Sequence, residues 1–511
     1  MNPVYDWIAH HARYSPDAVA LIDPRSERTL SYRRLNDRCS RAAAYLTDAL
    51  GVAPGNRVAV LCHNSSDVLE LLFACQKTGA IFVPLNWRLA APELRFILED
   101  CRPVVLVYGD EFEAVAAALA DEITIPHRVS VSDGQDSDYE RGLDAAAPQA
   151  RLHPQGHDDT WINMYTSGTT GVPKGVRITH GNVFFSAVNA SMKFRLSARS
   201  RCLTFLPLFH VGGLFLFATF VLHQGGSAVI VRHFDPERCL AWLADREAGI
   251  SHVFGVPTNF LFMSQLPAFA DADLRHLRGV AIGGAAAPLE LLRAYAHKEV
   301  RIQQCWGMTE TATIGTVLSE DRCFDKLGSS GLPVLHASMR IVDPEGKEVA
   351  PGEVGELWVK GPTVTPGYWN RPDANETSFT DGWFHTGDAV RTDEEGYFYV
   401  VDRWKDMFIS GGENVYPAEV ENVLYRLPQV AEAAVVGVPD ERWGEVGCAF
   451  VVRRAGQALD AEAVAKHCRQ NLGGFKVPKR FVFLDELPHS AAGKITKADL
   501  RRLYRERLAK A

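Results

Sequence analysis

Between residues 57 and 108 the apolar positions fall into short blocks of two kinds. RVAVLC at 57–62 is a nearly unbroken apolar run of strand length, the pattern of a strand buried on both faces. Ser65 or Ser66 is then placed to cap a helix running to about Lys77, with Val68, Leu71, Leu72 and Cys75 on one face. Residues 80–85 read as strand, 93–101 as a helix with Leu94, Ile97 and Leu98 inward, and 104–108 as strand again. Such alternation predicts a mostly parallel sheet covered by helices on both faces. From 130 to 160 the chain turns polar and rich in Asp, Ala, Pro and Gly, which predicts a long surface connection.

The same reading carries on downstream. Residues 176–179 form a short alternating strand, and a helix begins at His180. Residues 201–206 form a strand that ends in PLFHVGGL, and 280–283 form a strand that runs into Gly283-Gly284. Past residue 402 the pattern changes to a small α+β unit. Pro417 opens a helix with Val420, Val423, Leu424 and Leu427 in one stripe. Strands are predicted at 430–438, 448–453 and 480–485, with a helix at 461–472. A last helix starts at Thr496, with Asp499 in capping-box position. The chain is therefore read as α/β, with a large multi-layered N-terminal α/β domain at 1–402 and a small α+β C-terminal domain at 403–511. Residues 401–406 read as a charged surface segment.

Composition narrows the function classes. A chain of 511 residues has room for about three cores at ~150 residues per domain. The net charge of −8 excludes an ordinary nucleic-acid binder, which presents a basic surface, but leaves room for small anions in a local basic pocket. The ten cysteines are scattered without C-x-x-C pairs or metal-ligand spacing, so they read as reduced, buried thiols and point to the cytoplasm. The opening residues show no basic stretch followed by an apolar run, so no signal peptide is expected. The strongest apolar run, 211–222, is too short to span a bilayer; only weak peripheral contact with a membrane is compatible with it.

The chemistry gathers at 165–176, YTSGTTGVPKGV. Glycines let backbone N–H groups approach a ligand closely; those groups, the hydroxyls of Ser167, Thr169 and Thr170, and the Lys174 ammonium can surround an anion. The spacing is not that of a Walker loop, because Pro173 and Gly175 flank the lysine and a strand follows it. Downstream, QQCWGMTET at 303–311 combines a stacking ring, a hydroxyl and a carboxylate, and DGWFHTGD at 381–388 sets Asp388 at a glycine turn. PHSAAGKI at 488–495 places Lys494 in a loop. His210, after a strand and before apolar residues, reads as a satisfied core histidine or as a gate beside an apolar acid site. Cys305 has no base beside it and reads as a buried apolar residue.

YTSGTTGVPKGV resembles the phosphate-binding loop of the adenylate-forming superfamily, whose members include acyl- and aryl-CoA synthetases, and the other motifs follow in that family's order from 165 to 495. The resemblance implies that ATP is cradled by Thr166, Ser167, Gly168, Thr169, Thr170, Gly171 and Lys174. It sets the adenine against Gly283, Gly284, Ala285, Trp306, Gly307, Met308 and Thr309, and the ribose on Asp388 with Arg403 nearby. Glu310 is implied as the ligand of the Mg²⁺ that accompanies ATP. Lys494, His210, Thr166 and Glu310 are the implied catalytic residues, and Lys405 the hinge about which the small domain moves. CoA is implied near Gly411 and Gly412, and the acyl pocket at His210, Val211, Gly212, Phe254 and Thr258.

The expected reaction joins a carboxylic acid to CoA through an acyl-adenylate, with ATP, CoA and the acid as partners, no nucleic acid, and a monomer or homodimer as the assembly. A medium- or long-chain fatty acid is the first expected substrate, and an aryl acid of the feruloyl, coumaroyl or benzoyl type the second. Loading of a carrier protein and luciferase-like oxygenation are further branches of the resemblance. A hydrolase is disfavoured because no G-x-S-x-G elbow is present.

Overall fold

The computed structural model describes residues 3–133, 136–148, 152–166, 173–404, 406–490 and 493–508. Arg57–Leu61 lies between Ile81–Pro84 and Val105–Gly109 in parallel register. His127–Val131 extends that sheet on one side, and Thr160–Thr166 with Lys174–Thr179 on the other, giving six strands. Helix Ser66–Thr78 is buried along its whole length, the mark of a helix packed on every side. Ser65 stands at its N-cap but makes no side-chain cap bond; Asp23 accepts from the Ser66 N–H instead.

A nine-stranded sheet carries the next part of the chain. At its centre Arg201–Thr204, His252–Gly255, Gly279–Gly283 and Ile302–Trp306 run parallel and adjacent. Ligands of open α/β sheets bind beyond the carboxyl ends of such strands, and it is there that Trp306, Gly284, Thr258 and His210 stand. A third sheet, built from Ser338–Val342, Gly355–Lys360, Phe379–Thr380, Trp383–Thr392 and Phe398–Arg403, presents Asp388 and Arg403 as facing residues.

The smaller C-terminal domain is a separate sheet with two cores. Val430–Asp440 and Gly444–Arg453 pair antiparallel, and Arg480–Leu484 runs parallel to the second. Alternate residues point to opposite faces. Ala433, Val435, Ala449 and Val451 pack under helices Pro417–Leu424 and Ala461–Asn471, whereas Ala434, Val436, Cys448 and Phe450 pack under Leu500 of the last helix, Lys497–Leu503.

Three sequence expectations need correction. The polar stretch 130–160 contains helix Asp138–Ala145, whose Tyr139, Glu140 and Leu143 are buried. Glu140 and Asp67 each meet both Arg28 and Arg38, and Glu70 meets Arg38; interior ion pairs made the composition look like surface. Residues 401–406 are not simply a charged surface: Asp402 accepts from the Ala418 N–H at 3.0 Å and faces Lys497 at 3.9 Å, while Asp406 pairs with Arg501 at 3.0 Å. Thr496 is the N-cap of the last helix but forms no capping box; its hydroxyl donates to the Pro488 carbonyl at 3.0 Å. All ten cysteines are unbridged, nine of them buried. Among the described residues no helix is long and apolar enough to cross a membrane.

Candidate functional site

The strands Thr160–Thr166 and Lys174–Thr179 form an antiparallel pair with Thr166 opposite Lys174, so both ends of the predicted anion loop start from fixed positions. Tyr165 anchors the base by donating to Asp100 at 2.5 Å, and Asp100 in turn pairs with Arg371. Ser167, Gly168, Thr169, Thr170 and Gly171, the centre of the loop, lie outside the described residues, as does the hinge candidate Lys405. The Thr166 hydroxyl reaches the Lys174 carbonyl at 3.5 Å.

The hairpin also positions its neighbours. Backbone bonds from Trp369 to Gly175 and from Arg177 to Gly367 lay segment 365–369 alongside it, and the Thr365 N–H donates to the Glu310 carbonyl. Tyr368 thereby comes between two predicted site residues. Its hydroxyl donates to Glu310 Oε1 at 2.9 Å, and the Lys174 ammonium stands 5.2 Å from its ring centroid. Sequence reasoning gave Tyr368 no role, since a lone tyrosine carries no signal of its own.

Glu310 is 7% exposed and meets a phenol rather than a cation. Burial raises its pKa, with its backbone and Tyr368 hydrogen bonds opposing the shift. Arg403 adds a favourable charge at longer range, but no cation among the described residues pairs with this buried carboxylate, and a hard divalent ion would compensate it. Among the described residues no group of three His, Cys, Asp or Glu side chains could hold a metal alone. The donor set thus fits Mg²⁺ held by one carboxylate and the oxygens of a phosphorylated ligand, and does not fit a closed protein cage.

Asp388 is the second buried carboxylate. Trp306 Nε1 donates to its Oδ2 at 2.7 Å, and Arg403 Nε lies 2.5 Å from its Oδ1. Burial raises its pKa, while Arg403, Trp306 and Lys494 oppose the shift. The predicted stacking ring therefore also orients the predicted ribose carboxylate. That bond could not be read from spacing, since 82 residues separate the partners.

Lys494 arrives from the small domain. A Cβ built on Gly284 would meet its Cε at 2.9 Å and its Nζ at 3.1 Å, and Gly284 itself has φ +80°. Glycine serves there twice, by adopting the left-handed backbone and by leaving space for the lysine. Burial lowers the Lys494 pKa to about 8, Arg403 adding to the shift and Asp388 opposing it. The Thr258 hydroxyl donates to the Gly493 carbonyl at 2.5 Å, so this expected acyl-pocket residue also docks the lysine loop. Arg88 Nη1 donates to the Ser490 carbonyl at 3.3 Å; a lone arginine in NWRL gave no hint of that contact.

His210 faces the same space. Its Nε2 is buried without a hydrogen-bond partner among the described residues, and burial, then Lys494 and Arg88, lower its pKa to about 3. It is a neutral ring, not the satisfied core histidine of the plain reading. The apolar segment behind it is a broken helix, with Leu216 and Phe217 outside helical geometry. Phe254 fills the gap left by Gly212: a Cβ there would lie 2.7 Å from the Phe254 ring. Val211 is half-buried beside them.

Gly283 and Ala285 flank Gly284, Gly307 and Met308 follow Trp306, and Thr309 opens the short turn Thr309–Thr311 that holds Glu310. Gly411 and Gly412 sit exposed at the turn between Phe408–Ser410 and Glu413–Val415, with the Gly411 N–H donating to the Trp443 carbonyl. Nothing in the sequence had singled out Trp443.

Comparison with known proteins gives a consistent result. The chain matches the model of the AMP-binding enzyme family over residues 8–369 and that of the AMP-binding enzyme C-terminal domain over 419–494. It is 43% identical to a feruloyl-CoA synthase of Amycolatopsis sp, with 98% of each chain covered. It is 38% identical to the long-chain-fatty-acid–CoA ligase FadD13 of Mycobacterium tuberculosis, with 97% of each covered. Among solved structures it is similar to o-succinylbenzoate CoA synthetase from Bacillus subtilis in complex with the acyl-adenylate intermediate OSB-AMP. That match has a TM-score of 0.86 and 33% identity, over 98% of this chain and 99% of the other.

Proposed function

The chain belongs to the AMP-binding enzyme family as an AMP-forming acid–thiol ligase, and from that premise we propose that it activates an aryl monocarboxylic acid and transfers it to CoA. The observation that carries the catalytic reading is Lys494. An ammonium from the small domain lies over Gly284 of the large one, beside Asp388 and Arg403. Carboxylate and phosphate oxygens repel each other as they approach, so a cation fixed between them lowers the barrier by position and charge.

The remaining residues divide the work. Thr166 and Lys174 hold the phosphates at the hairpin, Trp306 stacks on the adenine, and Asp388 accepts from the ribose hydroxyls. Glu310 would hold Mg²⁺, which when bound supplies charge neutralisation for the departing pyrophosphate. His210, whose Nε2 has no hydrogen-bond partner among the described residues, closes the acid side of the site. The acyl-adenylate is an activated mixed anhydride, so the CoA thiol needs no enzyme nucleophile.

We place the domain boundary at 402/403, near the end of strand Phe398–Arg403. Arg403 and Trp404 still bond to Asp388 and Gly387 of the large domain, while the Asp402 carboxylate already reaches Ala418 of the small one, so the chain crosses between the domains here. Lys405, next to this crossover, is proposed as the hinge about which the small domain turns. That turn withdraws Lys494 and brings Gly411 and Gly412 toward the path of CoA.

The 43% identity to a feruloyl-CoA synthase supports an aryl substrate over the fatty acid that the sequence ranked first. The 38% identity to FadD13 keeps a fatty acid as the second reading. A hydroxamate-trapping screen is expected to rank ferulate-type acids above octanoate, with malonate poor, because a second buried carboxylate costs several kcal/mol. Octanoate in first place selects the second reading, and malonate above both overturns the apolar pocket.

A further expected result concerns Trp306. Trp306→Phe keeps a stacking ring but deletes the donor to Asp388. A hydrogen bond to a charged acceptor is worth about 1.5–3 kcal/mol, so KM for ATP should rise on the order of tenfold or more with kcat little changed. Steady-state kinetics at varied ATP check this; an unchanged KM would detach Trp306 and Asp388 from the nucleotide.

A further inference from the structure

The loop that carries Lys494 is a braced hairpin. His489 and Ile495 face each other across an antiparallel bridge. The Ser490 N–H donates to the Lys494 carbonyl at 2.6 Å, and the Lys494 N–H donates to Ser490 Oγ at 3.1 Å. Thr496 donates twice to the Pro488 carbonyl, through its N–H at 2.9 Å and its hydroxyl at 3.0 Å. These bonds fix the hairpin's shape but do not aim it at the large domain.

His489 is the residue placed to aim it. On the small-domain side its Nε2 lies 2.9 Å from Glu432 Oε1, on strand Val430–Asp440, and Glu432 is 5% exposed. On the other side its ring meets Phe262 at 6.5 Å, at an interplanar angle of 67°. Phe262 belongs to helix Pro257–Ser264, the helix whose Thr258 receives Gly493. His489 therefore sits between a buried carboxylate of one domain and the docking helix of the other, in the hairpin of the docked lysine.

We infer that His489, held as an imidazolium by Glu432, is a positioning residue for Lys494 in the adenylating arrangement. Glu432 faces His489 directly and Glu486 adds further negative charge; the Leu487 carbonyl also accepts from the ring. From the large domain come the neutral Phe262 ring and Arg88, which is engaged at the Ser490 carbonyl. A buried carboxylate facing a neutral ring is left without a countercharge, so loss of the proton weakens the brace.

The sign follows from the direction of the shift. Glu432 raises the His489 pKa above its ordinary 6.5. The brace is complete below that ordinary value and is lost as pH rises through the raised one. The loss of charge from Lys494, near pH 8, is a separate event on the same alkaline side.

The inference rests on Lys494 acting in adenylation, and the experiment separates the two. Acid-dependent pyrophosphate release and thioester formation from supplied acyl-AMP and CoA are measured from about pH 6 to about pH 9 for the wild type and variants. His489→Gln and Glu432→Gln are expected to lower pyrophosphate release about tenfold near pH 6.5, leave thioester formation unchanged and lose the first alkaline decline. His489→Arg, which keeps the charge, is expected to recover most of the rate while retaining only the decline belonging to Lys494. A His489→Gln enzyme with the wild-type rate and pH profile overturns the inference, as does equal loss of both half-reactions. If Lys494→Ala itself adenylates normally, the underlying reading of Lys494 fails instead.

Discussion

Lys494→Ala is expected to reduce adenylate formation by ~10²–10³-fold, the usual cost of losing one fixed electrostatic stabiliser, while thioester formation from supplied acyl-AMP stays near the wild-type rate. The lysine packs over Gly284 beside Arg403 and Asp388, where adenylation needs positive charge. Thioester formation attacks the neutral acyl carbon of an already activated anhydride and expels AMP, so the same charge is expected to be dispensable there. Rapid-quench measurement of pyrophosphate release, beside a thiol-trapping assay with synthetic acyl-AMP, resolves the two steps. Equal loss of both would show that the docked arrangement serves both half-reactions, and that the small domain does not alternate.

Glu310→Gln is expected to lower adenylation by about 10² or more and raise the Mg²⁺ concentration needed for half-maximal rate, without loss of the fold. Glutamine keeps an oxygen that accepts from Tyr368 and removes a buried charge whose ionisation burial disfavours. The thermal midpoint should therefore stay level or rise slightly, the reverse of what damage to a structural carboxylate gives. Titration of Mg²⁺ against rate, with a melting curve on the same samples, checks both halves. A variant with the wild-type rate at low Mg²⁺ would reduce Glu310 to a structural partner of Tyr368.

Much of this arrangement was legible in the sequence because its signals are local. The strands at 57–62, 80–85 and 104–108 and the small-domain elements follow from apolar period and turn residues, which neighbours along the chain determine. Gly284, Trp306, Glu310, Asp388 and Lys494 could be named as candidates because each sits in a short motif. What escaped depends on partners far apart in sequence. Helix Asp138–Ala145 looked polar because Glu140 is neutralised by Arg28 and Arg38, about a hundred residues upstream. Thr496 carried a capping-box signature, yet its hydroxyl is taken by Pro488, so the lysine hairpin prevailed over the local rule. Tyr368, Arg88 and His489 gain their roles only where the large domain, the phosphate hairpin and the lysine loop converge.

Lys494 also ties the arrangement of the domains to a count of protons. Its pKa is about 8 in the docked position, against an ordinary value of 10.5, so a lysine swung out to water holds its proton more firmly than one lying over Gly284. Docking of the lysine near pH 8 is therefore expected to be accompanied by partial proton release. Alkaline conditions draw the lysine inward even as they remove the charge that makes it useful there. In a titration calorimeter, the heat of any ligand that favours docking should vary with the ionisation enthalpy of the buffer. The slope of that variation gives the net protons exchanged on binding, and its change in Lys494→Ala isolates the share that belongs to the lysine.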